Sequence, residues 1–361
     1  MKLLYIVPKI KNAGGVARVL AVRANYFVAN FGYEVHILSQ NEEGAELFYA
    51  FNKKIVFHNM NLEGNTFSFF ISLKKAVNQK IKEINPDVIL VADNGLKAFT
   101  YPFIISGKTP IVFECHGSKY IEVKAQRNSF FLKLKYQFKN FGAGKFTKMV
   151  ALSTESLKEW NVKNAVVIPN PSWIETEKKA SLQSKKVITI ARYSYEKGLD
   201  RLLLIWEKVS KKYPDWGLEI YTDDIVSLEK EAFNLGIIST INYFNFTKNI
   251  EEKYLEASIY AMTSRSEGFP MVLLEAMSLG LPCIAYDCPT GPRSIIKNHK
   301  NGFLIPEGNI DQFVEKLSLL MENSDERVRL GSMAKESVKD FSTTKIMGQW
   351  KLFLDSLLVK N

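Results

Sequence analysis

Short apolar runs alternate with longer amphipathic segments along the first 170 residues. The runs are four or five residues long and rich in β-branched residues, which predicts buried strands. These predicted strands lie at 3–7, 35–39, 88–91, 111–114, 149–152 and 165–168. Apolar residues recur at helical spacing between them, as at 16–31 and 71–84. Strands that alternate with helices indicate a parallel sheet with helices on both faces.

A polar stretch with two prolines, PNPSWIETEKKASLQSK at 169–185, interrupts this pattern and predicts an interdomain linker. The alternation then resumes, with predicted strands at 187–191, 218–222, 259–263 and 283–285. Predicted helices lie at 199–212, 270–280 and 310–321, and further helices at 325–359. The predicted fold class is α/β, with two doubly wound domains at 1–170 and 171–342. Such sheets bind ligands beyond the carboxyl ends of their strands.

Charge is distributed unevenly between these two halves. The 361 residues are 46% hydrophobic and 24% charged, which is ordinary for a globular protein of about two domains. The net charge is +10, yet residues 1–170 hold 23 Lys and Arg against 12 Asp and Glu, whereas the remainder holds 25 against 26. The first half is therefore expected to meet an anionic partner: nucleic acid, a phosphorylated substrate or an anionic membrane.

Targeting and redox features favour a cytoplasmic protein. No apolar run approaches the roughly 18 residues of a membrane-spanning helix. The apolar run at 3–7 is followed by a proline and a lysine and is too short for a secretory signal. Cys115, Cys283 and Cys288 contain no CxxC pair, so neither a disulfide framework nor a zinc site is expected.

Gly14 and Gly15 directly follow the first predicted strand and open the first predicted helix. Glycines there let the backbone approach a ligand, and a helix N-terminus favours an anion. The full GxGxxG fingerprint is absent, so a tight strand-to-helix turn explains these residues equally well.

Two cations lie in the loop ARYSYEKG at 191–198, where the first strand of the second half ends. Arg192 offers a fork of donors and Lys197 a compact charge, and such a pair beside a helix start suits a diphosphate. Two solvated surface charges are the alternative.

The stretch SEGFPMVLLEAMSLGLP at 264–280 places two glutamates, Glu267 and Glu275, eight positions apart. Pro270 suits the first position of a helix, whose free N–H groups near Met271, Val272 and Leu273 suit a phosphate. Glu275 lies in an apolar run, and burying an unpaired carboxylate costs several kcal/mol. It is expected to bind a vicinal diol such as a ribose, or else a neighbouring backbone group or arginine.

Taken together, these motifs resemble the signature of the family 4 retaining glycosyltransferases, in which seven residues separate two acidic residues. The resemblance extends over nearly the whole chain: the Gly-Gly loop, the R-x4-K-G loop, VIPNP before the linker, EGFPMVLLE, and GLPCIAYDCPTGPRSII. It implies the GT-B fold, in which two Rossmann-like domains face a central cleft. It also implies that the helix at 343–359 packs back on the first domain, the acceptor-binding one, while the second binds the nucleotide sugar.

The resemblance also implies a role for each candidate residue. Arg192 and Lys197 would neutralise the donor diphosphate, and Glu275 would hold the ribose. Glu267, with the backbone of Gly268, Phe269 and Pro270, would hold the sugar hydroxyls. Gly14 and Gly15 would approach the phosphates. His116, in FECHGS at a strand end, matches a histidine that contacts the transferred sugar, although a structural loop histidine is the alternative.

The expected reaction moves a hexose or N-acetylhexosamine from a nucleotide sugar to a surface glycan or a polyprenyl-diphosphate-linked acceptor, as in capsule or O-antigen synthesis. UDP is preferred because the motif resembles that of bacterial surface-glycan transferases. The chain departs from the family pattern in three places: YTDD at 221–224 replaces a glycine-rich turn, a later glycine is replaced at 245–246, and Ser294 replaces a glutamate. The first two lie in loops near the nucleotide base and leave its identity less secure. Neither cofactor nor metal is expected, because this fold class usually works without a divalent ion.

The segment 119–148 carries eight basic residues and one acidic residue. Phe130, Leu134, Phe138 and Phe141 recur at helical spacing, which suits a helix lying on an anionic membrane. A core-facing helix with a solvated lysine face is the alternative.

Four other functions compete. A nucleotide-sugar epimerase shares the fold, and a glycan phosphorylase is normally far longer and carries a lysine-bound pyridoxal phosphate. A nucleic-acid-binding protein would explain the basic half, but no nucleic-acid motif is present. A dehydrogenase is disfavoured by the missing GxGxxG loop.

Overall fold

A computed structural model describes residues 1–63, 66–120 and 130–359. Its contacts divide the chain into two units, which we call the N-terminal unit (Met1–Pro171 with the segment from Thr343) and the C-terminal unit (Ser172–Ser342). The predicted boundary lies one residue before this division. The α/β fold class of two Rossmann-like units is confirmed.

The N-terminal unit contains a parallel sheet. Its strands are β1 Lys2–Ile6, β2 Glu34–Gln40, β3 Val56–Met60, β4 Val88–Val91, β5 Ile111–Cys115, β6 Lys148–Ala151 and β7 Ala165–Val167. Its first helices are α1 Gly15–Phe31, α2 Thr66–Ile84, α3 Tyr101–Ile104, α4 Phe130–Ala143 and α5 Thr154–Lys158. The strand order is β3-β2-β1-β4-β5-β6-β7. The chain reverses direction across the sheet between β1 and β4, which creates a crevice at their carboxyl ends.

The C-terminal unit repeats this plan. Its strands are β8 Lys186–Ile190, β9 Gly217–Thr222, β10 Ile241–Asn245, β11 Ile259–Met262, β12 Cys283–Asp287 and β13 Phe303–Pro306. Its helices are α6 Leu199–Lys212, α7 Ile225–Asn234, α8 Ile250–Leu255, α9 Met271–Ser278, α10 Pro292–Ile295, α11 Ile310–Glu322 and α12 Ser324–Val338. The order β10-β9-β8-β11-β12-β13 places the reversal between β8 and β11.

The last helix, α13 (Thr343–Leu358), belongs to the N-terminal unit. Its Ile346, Met347, Trp350 and Leu354 are buried in the same apolar core as strand β1 and helix α1. Their spacing of three to four residues places them on one helix face. The chain therefore returns to its first unit after completing the second.

Three strands that the pattern did not predict, β3, β10 and β13, all lie at sheet edges. Their side chains are only partly buried, whereas β4, an interior strand, is buried throughout. An edge strand needs no continuous apolar run, so periodicity does not reveal it.

The predicted linker at 169–185 is mostly part of the C-terminal unit. Ala180 donates its N–H to the Leu279 carbonyl at 2.8 Å, and Lys335 donates to the Thr176 carbonyl at 2.7 Å. The polar composition suggested a free connection, but these residues are held by hydrogen bonds to the ends and flanks of α9 and α12.

Gly331→Ala is expected to destabilise the C-terminal unit by about 1–3 kcal/mol through overpacking. Gly331 lies inside α12, and a Cβ there would be 2.1 Å from the Gly280 carbonyl oxygen. Gly348 inside α13 is the matched control, because nothing lies within 4 Å of its Cβ position. Gly348→Ala should instead stabilise by up to about 1 kcal/mol through helix propensity. Urea unfolding followed by circular dichroism measures both, and equal stability of the two variants would contradict the packing argument.

Candidate active site

Two loops meet at the reversal point of the C-terminal unit. The loop after β8 carries Lys197, and the loop after β11 carries Glu267. The Lys197 ammonium donates to both carboxylate oxygens of Glu267, at 2.8 and 2.9 Å. Two residues predicted for the site are thus in direct contact, although 70 positions separate them.

The Glu267 carboxylate is 7% exposed and also accepts a hydrogen bond from the Ser264 hydroxyl at 2.6 Å. Lys197 is partly exposed and, as an ammonium, carries three donors. Its hydrogen bonds among the described residues go to Glu267. The pair is therefore a buried carboxylate partly neutralised by a cation at the surface of the crevice.

The loop that carries Lys197 is held in place by residues that the sequence reasoning did not identify. Gly198 has φ +64°, and a Cβ there would be 2.3 Å from the Thr263 carbonyl oxygen, so the position favours glycine. Arg265 forms a two-pronged ion pair with Asp200 and donates to the Tyr195 carbonyl at 2.8 Å. Burial alone would raise the pKa of Asp200, but the bonds from Arg265 outweigh it and lower the pKa.

The N-terminus of α9 differs in detail from the prediction. Pro270 precedes the helix instead of occupying its first position, and the Leu273 N–H, expected to be free, donates to the Pro270 carbonyl at 3.1 Å. Buried Gly268, Phe269 and Met271, with half-buried Val272, complete this turn. The amides of Met271 and Val272 are the ones that remain for a phosphate.

Gly291 presses against this turn. It has φ +90°, and a Cβ there would lie 2.8 Å from Pro270 Cδ and 2.9 Å from Glu267 Cβ. The neighbouring Thr290 hydroxyl donates to the Glu267 carbonyl. The loop after β12 therefore fixes the shape of the Glu267–Pro270 turn from one side, which the motif at 264–280 does not reveal.

Glu275 is buried, at 6% exposed, and its carboxylate has protein partners. Its Oε1 accepts from the Trp173 indole N–H at 2.6 Å, and its Oε2 from the Tyr254 hydroxyl at 2.9 Å. These two partners are an indole and a phenol, which were not among the expected alternatives to a ribose. Burial and the Glu275 charge raise the pKa of Tyr254 well above its usual range, so the phenol remains a donor. The predicted contact of Glu275 with a ribose stays a prediction.

Arg192 is exposed and makes no hydrogen bond or ion pair among the described residues. The next N–H, of Tyr193, donates to Asp223 Oδ1 at 2.7 Å, and Asp224 caps α7 by accepting from the Ser227 N–H at 3.0 Å. Asp223 and Asp224, which replace the glycine-rich turn, therefore have local structural roles. The hydrogen bond from Tyr193 to Asp223 also holds the loop that carries Arg192.

In the N-terminal unit, the glycine loop lies after β1. The Asn12 side chain accepts from the Gly14 N–H at 2.7 Å, and Gly15, the first residue of α1, is exposed. Glu42 accepts from the N–H groups of residues 10 and 11 at 2.8 and 3.0 Å, and Tyr49 donates to the residue 13 carbonyl at 2.8 Å. These two braces are distant in sequence and were not predicted.

His116 follows β5, two residues after Glu114. Its Nε2 lies 2.8 Å from Glu114 Oε2, and its N–H donates to Asn94 Oδ1 at 3.2 Å. The imidazole is 3% exposed. Its predicted contact with a sugar stays a prediction, and the structure adds that one of its ring nitrogens is already bonded within the unit.

A groove of about 490 Å³ lies on another face of the C-terminal unit. It is lined by residues of helix α12, by Ser278 of α9 and by residues 172–179, which we call the docked segment because hydrogen bonds hold it against the C-terminal unit. None of the predicted site residues is among its lining residues. We therefore place the candidate site at the reversal point and not in this groove.

Two family models match the chain. The model described as Glycosyl transferases group 1 matches residues 172–337, and the one described as Glycosyltransferase Family 4 matches residues 13–172. They meet at the boundary between the two units. The chain belongs to glycosyltransferase family 4.

Similar proteins match this glycosyltransferase over nearly its full length. It is 28% identical to an uncharacterized glycosyltransferase of Haemophilus influenzae, over 97% of this chain and 99% of the relative. It is 26% identical to the amylovoran biosynthesis glycosyltransferase AmsD of Erwinia amylovora, over 98% of this chain and 99% of AmsD. A crystal structure of an S. aureus TarM mutant with fondaparinux, α-GlcNAc-glycerol and UDP has a TM-score of 0.81 at 15% identity, covering 98% of this chain and 99% of TarM. This last likeness shows the GT-B fold.

Within 1–63, 66–120 and 130–359, no helix combines the length and apolar character needed to cross a bilayer.

Tyr254→Phe is expected to lower the free energy of unfolding of the C-terminal unit by about 1–3 kcal/mol, because a buried carboxylate loses a donor. Tyr286→Phe is the matched control. Both side chains are fully buried, but the Tyr286 hydroxyl has no hydrogen-bond partner among the described residues. Removing the Tyr286 hydroxyl should leave the free energy of unfolding unchanged or raise it. Chemical denaturation of both variants measures the difference, and equal losses would refute the role given to Tyr254.

Proposed function

We propose that this glycosyltransferase moves a hexose or N-acetylhexosamine from a UDP-sugar to a glycan or lipid-linked saccharide, with retention of anomeric configuration. The acceptor belongs to bacterial surface-polysaccharide synthesis. Two similarities support this proposal: AmsD is named for amylovoran biosynthesis, and the TarM mutant was crystallised with UDP and a GlcNAc-bearing ligand.

The contact between Lys197 and Glu267 is the observation that carries the proposal. It places a cation, a buried carboxylate and a helix N-terminus together at the carboxyl end of a parallel sheet. A sugar diphosphate needs these groups: positive charge for the phosphates and an acceptor for sugar hydroxyls. Exposed Arg192 supplies a second charge from the same loop.

The proposed chemistry is departure and attack on one face of the sugar. The bond between the anomeric carbon and the diphosphate oxygen breaks, and the electron pair leaves with the nucleoside diphosphate. The acceptor hydroxyl oxygen bonds the anomeric carbon on that same face, and a leaving-phosphate oxygen takes its proton. The chain's task is to stabilise the charge that develops on the diphosphate, through Arg192, Lys197 and the amides at the start of α9.

Nucleotide binding is assigned to residues around α9. Glu275 would accept hydrogen bonds from the ribose diol, with Trp173 and Tyr254 fixing the orientation of its carboxylate. Gly14 and Gly15 would let the N-terminal unit approach the phosphates. No step of this scheme uses a metal ion or an organic cofactor.

Lys197→Ala and Arg192→Ala are each expected to lower turnover by about 10²–10³, the usual loss when one preorganised charge-stabilising donor is removed. A donor-hydrolysis screen across nucleotide sugars first identifies the substrate, and steady-state rates are then compared. Lys208→Ala is the matched control, because Lys208 lies on α6 and pairs with Asp311 at 2.7 Å, on a solvated face. Normal turnover in the Lys197 variant, with its fold intact, would remove the assignment.

We also propose that helix α4 rests on the inner face of the cytoplasmic membrane, where a polyprenyl-diphosphate acceptor would lie. Residues 121–129 of the basic segment 119–148 lie outside the described residues. In the part described, Phe130, Leu134, Phe138 and Phe141 are exposed and form one face of α4. The exposed apolar face and the buried Lys139 support this proposal over a helix that buries its apolar face in the core. Exposed Lys133 and Lys145 provide charge for anionic lipid.

Replacing Phe130 and Leu134 together with serine is expected to weaken binding to anionic vesicles about tenfold or more, because two apolar side chains leave the lipid. Sedimentation with vesicles at low and high salt measures this. The Val226→Ser and Phe233→Ser pair in α7 is the control, since these side chains are similarly exposed, at 78% and 70%, but belong to the C-terminal unit. Wild-type protein that does not sediment with anionic lipid at low salt would end the membrane proposal.

A further inference from the structure

A charged pair lies at the centre of the N-terminal unit. Arg23 of α1 contacts Glu114 of β5, and both side chains are 1% exposed. The Arg23 guanidinium carbon also lies 4.4 Å from the ring centroid of Trp350, which α13 contributes. The pair is therefore enclosed by the first helix, an interior strand and the last helix of the chain.

The pair connects directly to a predicted site residue. Glu114 Oε2 receives both Arg23 Nη2 and His116 Nε2, the latter at 2.8 Å. Burial alone would raise the pKa of Glu114, but the Arg23 charge and the His116 hydrogen bond outweigh it and lower the pKa. Because a carboxylate only accepts hydrogen bonds, His116 Nε2 must carry the proton. In the neutral ring, Nδ1 then has the free lone pair.

Stability alone accounts poorly for this arrangement. The Tyr5 ring of β1 also packs near Arg23, with its centroid 5.7 Å from the guanidinium carbon. Five buried polar atoms of Tyr5, Arg23, Glu114 and Trp350 have no protein partner among the described residues: Tyr5 OH, Arg23 Nε and Nη1, Glu114 Oε1 and Trp350 Nε1. Well-packed apolar residues commonly replace such a buried pair with no loss of stability. What the pair achieves, and apolar residues would not, is a fixed negative charge directly behind His116.

We propose that Glu114 is a positioning residue for His116, and that Arg23, packed on Trp350, holds the Glu114 carboxylate in place. Glu114 fixes the imidazole in the Nε2-protonated tautomer and sets its ring orientation. His116 Nδ1 is then a hydrogen-bond acceptor, and the donor that it binds is a hydroxyl of the transferred sugar. This last step rests on the function proposed above, whereas the tautomer does not.

The first test is nitrogen NMR of the whole chain labelled at histidine. The His116 signals are assigned by their loss in His116→Asn. The expected spectrum at neutral pH shows a protonated Nε2 and an unprotonated Nδ1. The opposite tautomer, or an equal mixture, would overturn the proposal whatever the enzyme's substrates prove to be.

The second test uses two variants. In the double variant Arg23→Met with Glu114→Leu, an apolar pair replaces the ionic one, so the fold should survive. Its His116 tautomer should become mixed and kcat should fall about 10²-fold, as for a misplaced catalytic group, while the Kd for UDP stays within about twofold. Glu114→Gln retains an acceptor for Nε2–H, so it should keep the tautomer and recover part of the rate.

Glu219→Gln is the control. Glu219 is also a buried carboxylate, but it lies in the sheet of the C-terminal unit and pairs with Lys186, the first residue of β8. A folded double variant with unchanged tautomer and kcat would leave Glu114 a merely structural residue and overturn the proposal. If the double variant does not fold, the wild-type and Glu114→Gln spectra still decide. If no donor supports turnover, the proposed function fails while the tautomer result stands.

Discussion

A carboxylate buried in a parallel α/β unit must be given hydrogen-bond donors at fixed positions, and this requirement organises the C-terminal unit. Glu267 takes its donors from Lys197 and Ser264, and Glu275 from Trp173 and Tyr254. These donors come from the loops after β8 and β11, the docked segment before β8 and helix α8. Satisfying two carboxylates therefore fixes the relative positions of the elements that surround α9.

The N-terminal unit applies the same constraint to its loops. Glu42 binds the backbone after β1, and Glu159 accepts from the Lys119 N–H at 2.7 Å and from the Ser118 hydroxyl. Glu114 bonds His116 in the same way after β5. The loops after β1 and β5 are thus held by buried or partly buried carboxylates, which preorganises their backbone before any ligand binds.

The sequence predicted the interior strands, the two-unit division to within one residue, and the contact partners Lys197 and Glu267 as members of one site. Interior strands are mostly apolar and reveal themselves locally, whereas β3, β10 and β13 have a partly solvated face and do not. The sequence also showed that Glu275 needs a partner. It could not show which one, because Trp173 lies 102 positions away and an indole in a polar stretch carries no signal of its own. Arg23 and Glu114, 91 positions apart, were missed for the same reason.

Helices α2 and α4 show why pattern alone cannot orient a helix. Both combine apolar residues and lysines at helical spacing. In α2, Leu73, Val77 and Ile81 face the core and the lysines face solvent, which is the usual arrangement. In α4 the phenylalanines are exposed, while Lys139 is buried and donates to the Lys119 carbonyl at 3.1 Å. Burying an ammonium in place of an aromatic ring is unfavourable for an isolated soluble unit. The arrangement would become favourable if the aromatic face entered an apolar medium, and for this reason α4, and not α2, is the helix for which we propose membrane contact.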